Sequence, residues 1–225
     1  MKTLGVIGGI APESTVEYYR LLTAGGARSI VINSIDLDRM LSFVYADDMD
    51  GLVEHLLPEL GRLARAGAGV GLFASNTPHI AFDRIRARSP LPLISIVDCA
   101  RDEAAARGLK RLAIFGTRFT MRGEFYPNAF RAAGIELVRP HDDELEWIHD
   151  RYMGELVKGV FLPETRERLL RIIETMKERD GIDGVVLAGT ELPLIVRADS
   201  HAGIPLLDTT RIHVSAAIRE VLGTA

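Results

Sequence analysis

Two short stretches carry side chains suited to holding a carboxylate or moving a proton. In the first, an apolar run from Val70 to Ala74 stops abruptly at Ser75, Asn76, Thr77, Pro78 and His79. The second repeats the design half a chain later, where Gly184 to Ala188 gives way to Gly189, Thr190, Glu191, Leu192 and Pro193. Hydroxyl and amide groups can donate to a carboxylate or accept from an ammonium. Thr117 and Thr120 follow another apolar run, with Arg118 and Arg122 interleaved. Arg39 follows Asp36 and Asp38 at the end of a strand-like segment. Pointing inward, its guanidinium could grip a carboxylate through two parallel hydrogen bonds; a solvated surface arginine is the other reading. Lys158 closes an acid-rich helical stretch, where a helix dipole alone would favour it. His201 reads as a solvated loop residue, and Asp208 is placed to cap the final helix.

These candidates need strands that deliver them and helices that cover the strands. Apolar runs bounded by small polar residues suit parallel strands buried on both faces, and ligands of open α/β sheets bind beyond the carboxyl ends of such strands. The sequence predicts a strand from Leu4 into a Gly8-Gly9 turn, then a helix opened by Pro12. It predicts strands at 29–35, 70–74 and 91–96, and helices at 49–66, 79–87 and 99–107. A second set follows: a strand from Leu112 to Gly116, helices at 142–158 and 163–178, and strands at 184–188 and 204–208.

The two sets correspond. Leu4 to Gly9 matches Leu112 to Thr117 at a shift of 108 residues, Glu17 matches Glu124 at 107, the polar tips match at 114, and Leu91 to Ser95 matches Ile204 to Asp208 at 113. Ordered matches at a nearly constant shift indicate duplication. The expected fold class is therefore α/β: two pseudo-symmetric α/β domains, each a short, mostly parallel sheet flanked by helices, with an active-site cleft between them. The expected first half is 1–108, completed by a C-terminal helix at 211–225; the second is 109–210.

Composition narrows the function classes. The chain has 225 residues and a formal net charge of −4, with no basic patch of the kind nucleic acid requires. No apolar run approaches the roughly 20 residues of a membrane span, and the N-terminus runs straight into a strand, so a cytoplasmic protein without membrane or nucleic-acid partners is expected. A single cysteine, Cys99, leaves no internal disulfide or cysteine zinc cluster, and the six histidines lack ligand spacing. The Gly8-Gly9 turn departs from the dinucleotide fingerprint. No metal, nucleotide or pyridoxal phosphate is expected, and the cofactor expectation is none.

Taken together, Gly8-Gly9 with Pro12 and Thr15, Ser75 to His79, Thr117 with Thr120, Glu155 to Gly159, Gly189 to Leu192 and Leu207 to Thr209 resemble the aspartate/glutamate racemase family. The resemblance runs almost the length of the chain. It implies a homodimer of two-domain subunits that exchanges the α-proton of an acidic amino acid without a cofactor. It implies that Asn76, Thr77, Thr117 and Thr190 bind the α-carboxylate and amino group of the substrate, that Thr120 is a further substrate-binding residue, and that Arg39 and Lys158 hold the distal carboxylate of a small dicarboxylate.

The family's two catalytic cysteines fall at Ser75 and Gly189, so the resemblance places the catalytic positions at Ser75, Gly189 and the adjacent Thr190. Racemisation needs a base on one face of the α-carbon and an acid on the other. A thiol with a pKa of about 8.5 serves both roles; a serine hydroxyl needs a neighbouring base, and glycine has no side chain. The two-thiol route is disabled, and cysteine at both positions is expected to restore it. Three readings stay open. One is an isomerase in which Thr190, Glu191, His79 or a water held by Ser75 replaces a thiol. Another is a decarboxylase or lyase that uses room left beside the glycine for a departing group. The third is a non-catalytic dicarboxylate-binding protein.

Overall fold

The computed structural model describes residues 2–223. Contacts divide the chain into two units: Met1–Ile96 with His213–Ala225, and Val97–Ile212. Each is an α/β layer structure in which parallel strands are covered by helices.

In unit 1, strand β1 (Leu4–Gly8) lies at the centre of a three-stranded parallel sheet, between β2 (Ile30–Ser34) and β3 (Val70–Phe73). Every residue of β1 and β3 is buried, whereas β2, the edge strand, is only partly covered. Burying Leu4, Val6 and Ile7 fully is worth roughly 1.5–3 kcal/mol each. Helix α1 (Pro12–Ala24) carries Tyr18 and Leu22 into this core. The short α2 (Leu37–Tyr45) is capped by Asp36, whose carboxylate accepts from the Arg39 amide at 2.8 Å. Helix α3 (Met49–Arg65) buries Leu52, Val53, Leu56, Leu60 and Leu63, the spacing of one helical stripe. After β3, a 3-10 turn (Thr77–Ala81) leads into α4 (Phe82–Arg88).

The strand predicted at 91–96 survives only as a single parallel bridge between Leu93 and Gly71. The Gly71 amide donates to Pro92 O at 2.8 Å and the Ile94 amide to Gly71 O at 2.9 Å. Pro90 and Pro92 carry no N–H, so the segment cannot extend the ladder. Helix α5 (Ile96–Ala106) begins immediately after and leads the chain into unit 2.

Unit 2 contains a five-stranded sheet in the order β5-β4-β6-β8-β7. Its strands are β4 (Arg111–Gly116), β5 (Glu136–Val138), β6 (Gly184–Ala188), β7 (Ser200–His201) and β8 (Ile204–Asp208), all parallel except β7, which runs antiparallel to β8. The three-residue edge strand β5 has no counterpart in the sequence reading. Helices α6 (Arg118–Arg122) and α7 (Phe125–Arg131) follow β4, α8 (Asp142–Gly154) and α9 (Pro163–Asp180) follow β5, and α10 (Leu192–Val196) follows β6. The helix predicted over 142–158 breaks: α8 ends at Gly154, a 3-10 turn spans Leu156–Lys158, and Gly159 stops it in the left-handed region at φ 73°. Helix α11 (Thr209–Leu222) begins in unit 2, where the Asp208 carboxylate accepts from the Arg211 amide at 3.0 Å as an N-cap, and places Val214, Ala217 and Val221 in the core of unit 1.

The strand orders carry the internal correspondence. In both units the first strand is flanked by the second on one side and the third on the other. The order reverses between β1 and β3, and between β4 and β6. Carboxyl ends at such reversals form the natural ligand-binding position of an open α/β sheet.

The Gly8-Gly9 turn closes on itself. The Gly9 amide donates to the Thr15 hydroxyl at 2.9 Å, so it is committed within the protein. Gly9 sits at φ +84°, and a Cβ there would lie 2.3 Å from Ser34 Oγ and 2.4 Å from Ile35 O. Gly9→Ala is expected to lower the unfolding free energy by about 3 kcal/mol, a left-handed backbone penalty with a clash added. Denaturant melts test this; an unchanged midpoint would show that the turn relaxes freely.

Candidate active site

In unit 1, β3 is fastened at its end. The Ala74 amide donates to Ile7 O at 2.9 Å, and the Ser14 hydroxyl bridges Ala11 O and Ala74 O at 2.9 and 3.2 Å. Beyond this point Ser75, Asn76, Thr77 and His79 are all buried. Pro78, in the first turn of the 3-10 segment, fits where no N–H is required.

His79 and His213 define the hydrogen positions here. The Ile96 amide donates to His79 Nε2 at 3.2 Å, which places the ring hydrogen on Nδ1. That Nδ1 is buried against the backbone of Asn76 and Ser75, whose hydrogen bonding favours the charged ring but does not offset burial. His213 Nε2 donates to Ile94 O at 3.0 Å, and its Nδ1 accepts from the Tyr18 hydroxyl at 2.8 Å. Burial, then the neighbouring His213, pushes the His79 pKa down to about 3; burial pushes His213 down to about 4. His79 is therefore neutral at pH 7 with its lone pair committed to the Ile96 amide. It is a hydrogen-bond donor at the β3 tip and not the base that the sequence allowed.

Arg39 is exposed on α2. Burial first and the Arg39 charge second lower the pKa of His55, whose ring lies tilted against Phe43 with centroids 5.4 Å apart. Lys158 is exposed at the end of its 3-10 turn in unit 2. The two cations thus belong to different units.

In unit 2, Gly116 and Gly189 end the neighbouring strands β4 and β6. A Cβ on Gly116 would come within 2.6 Å of Ala188 O, so close strand approach requires glycine there. Thr117 caps α6 by accepting from the Thr120 amide, and the two hydroxyls are 3.2 Å apart. Thr120 is fully buried and Thr117 nearly so. Thr190 donates to both carboxylate oxygens of Glu191, at 3.0 and 3.1 Å. A hydroxyl has one hydrogen to give, and in this arrangement it goes to Glu191.

Glu191 is almost completely buried and also accepts from the Tyr152 hydroxyl. Burial first, then the Glu191 charge, raises the Tyr152 pKa well above its ordinary value, so the phenol keeps its proton. The same ring fills the space beside Gly189: a Cβ built there would lie 2.4 Å from Tyr152 Cε2 and 2.8 Å from its hydroxyl oxygen. Two sequence expectations need correction. The space beside the glycine is not open for a departing group, and cysteine cannot be placed at 189 unless Tyr152 moves. One turn earlier on α8, buried His149 accepts from the Arg118 amide at 3.2 Å through Nδ1, and burial followed by the Arg118 charge lowers its pKa. Tyr152 and His149 escaped the sequence reading. Their signal was faint: polar-headed side chains on a helix stripe that also buries Leu145 and Ile148.

Comparison with known proteins shows which family has this arrangement of parallel strands ending in buried hydroxyl, amide and carboxylate groups. The sequence profile of the Asp/Glu/Hydantoin racemases matches residues 7–217, and the chain belongs to that family. It is 29% identical over 157 residues to the glutamate racemase of Sphingopyxis alaskensis, a match covering 66% of this chain and 57% of that protein. Among solved structures, a Yersinia pestis protein assigned to the Asp/Glu racemases superposes with a TM-score of 0.87 at 32% identity over 99% of this chain and 100% of its own. An aspartate racemase homologue from Pyrococcus horikoshii superposes at 0.83, also with 32% identity and the same coverage.

The buried groups make two predictions. Below the unfolded imidazole pKa of about 6.5 the unfolded chain takes up protons that folded His79 and His213 refuse. The stability from their neutral burial is therefore complete above that pH and is lost as pH falls toward the folded values of about 3 and about 4. The melting temperature should decline from pH 7 to pH 4.5, less steeply in His213→Gln; equal slopes would remove this histidine from the account. Separately, Gly189→Ala should cost about 1–3 kcal/mol through overpacking, and much less in a Tyr152→Ala background. Additive costs in that double-mutant cycle would show that the ring does not fill the space.

Proposed function

We propose that this protein is a cofactor-independent isomerase that exchanges the α-proton of aspartate, glutamate or a similar small dicarboxylate. The observation that carries the reading is chemical. At the strand-order reversal of each sheet, the protein buries small hydrogen-bonding side chains that an apolar core would not need: Ser75, Asn76 and Thr77 in one unit, Thr117, Thr190 and Glu191 in the other. Family membership supports the reaction class, and the glutamate racemase and aspartate racemase homologue among its relatives support an acidic substrate.

In this reading Asn76, Thr77, Thr117 and Thr190 bind the α-carboxylate and amino group, with Thr120 behind Thr117. Arg39 and Lys158, both exposed, recognise the distal carboxylate. Donors aimed at the α-carboxylate stabilise the charge that develops when the α-proton leaves, which is where fixed dipoles are most effective. Ser75 is placed at one catalytic position and Gly189 with Thr190 at the other. A cytoplasmic homodimer completes the proposal on the strength of the family likeness. The lyase alternative is not favoured, because its supporting argument was room beside Gly189.

The test is incubation of each enantiomer of aspartate and glutamate in deuterated water, following the α-proton by NMR and optical activity by polarimetry. Deuterium should enter the α-position of at least one acid as its optical activity decays, and Arg39→Ala should raise KM more than it lowers kcat. Carbon dioxide or ammonia released without α-deuteration would point to the lyase, and tight binding without any exchange to a binding protein.

A further inference from the structure

We propose that Tyr152, coupled to Glu191, is the proton-transferring group at the carboxyl end of β6, standing where the family resemblance places a cysteine side chain. The inference rests on the isomerase reading above and names the group that would make it work on this side of the reaction.

Three observations converge on one point of unit 2. The hydroxyl end of the Tyr152 ring occupies the volume of the missing side chain at 189: the ideal Cβ position lies 2.8 Å from the phenol oxygen and 2.9 Å from Cζ. Glycine and tyrosine are therefore mutually required, since any side chain at 189 displaces the ring. The phenol donates to Glu191, a carboxylate with 1% of its surface exposed. The Thr190 hydroxyl donates to the same carboxylate. Burying a carboxylate is costly relative to water, and an apolar or amide residue at 191 would avoid that cost. A buried base next to a proton-carrying phenol is the arrangement a relay needs.

The chemistry balances without a free phenolate, which the buried site disfavours. As the substrate's α-C–H bond breaks, its proton passes to the phenol oxygen while the phenol's own proton passes to the Glu191 carboxylate. The electron pair of the C–H bond stays on the substrate, delocalised into its α-carboxylate. Tyr152 ends neutral and Glu191 ends as the carboxylic acid. Running backwards, Glu191 returns its proton to the phenol oxygen as the phenol protonates the α-carbon. Tyr152 is thus the contact atom and Glu191 the proton store, dividing between two residues what one thiol does alone.

The experiment measures two quantities on the same protein: α-proton exchange of aspartate and glutamate in deuterated water, and their binding by calorimetry. Tyr152→Phe keeps the ring that fills the space beside Gly189 and removes only the hydroxyl. It should bind the same acid with little change in affinity while exchange falls by about a hundredfold or more, the range of a lost acid or base. Glu191→Gln keeps a hydrogen-bonding partner for the phenol but removes the base. It should lose exchange to a similar extent while still binding the acid. Near-ultraviolet circular dichroism checks folding, and if Tyr152→Phe does not fold, Glu191→Gln decides. Wild-type exchange that persists undiminished in a folded variant overturns this inference and leaves the isomerase reading intact. Wild-type protein that exchanges neither acid overturns that reading and this inference together.

Discussion

A parallel strand covered on both faces has no side on which to carry a polar side chain, and the rest of this protein follows from that constraint. β1, β3 and β6 are buried at every residue. Hydrogen-bonding side chains can appear only where the ladder ends, and they do so at once: Ser75 to Thr77 beyond β3, Thr117 beyond β4, and Thr190 with Glu191 beyond β6. Strand-order reversal places β4 beside β6, so the sheet of unit 2 gathers two such ends together, while in unit 1 the β3 end lies beside β1 and its Gly8-Gly9 turn. Chemistry is confined to these points because the helices that stabilise the sheets have covered everything else.

Gathering polar groups in a buried place carries a desolvation cost, and the two units meet it differently. Unit 1 uses neutral imidazoles. The sequence of donors from Tyr18 through His213 to Ile94 O, and from the Ile96 amide to His79, fixes both tautomers without introducing a charge. Unit 2 buries a carboxylate and surrounds it with two hydroxyl donors, Tyr152 and Thr190. The first arrangement leaves the site neutral, while the second keeps a carboxylate hydrogen-bonded to two hydroxyls. A repeated fold has thereby acquired unlike ends, in keeping with the unlike residues, Ser75 and Gly189, at corresponding strand tips.

Gly189 also shows how an apparent loss can be a substitution. Read alone, glycine at 189 only removes a side chain; with the ring of Tyr152 within contact of its missing Cβ, the same glycine is what admits that ring. Departures from local rules tend to concentrate at functional sites. Here the departure is a buried pair, Tyr152 from a helix face that also buries Leu145, Ile148 and His149, and Glu191 from the end of β6.

By itself the sequence determined the strands, the duplication and the polar tips, because burial on both faces imposes an apolar run and its end is a local event. It determined the Asp208 cap for the same reason, since the capping carboxylate and the Arg211 amide are three residues apart. It did not determine that Pro90 and Pro92 reduce a strand to one bridge, that Gly154 and Gly159 break a helix, or that β5 exists, because these outcomes weigh local preference against packing. Least legible was the site itself. Tyr152 and Glu191 are separated by 39 residues, and Tyr18 and His213 by 195. No local pattern can couple such pairs; only the packing of helices on the strand ends brings their atoms together, and that packing decides which groups hold protons and which can give them up.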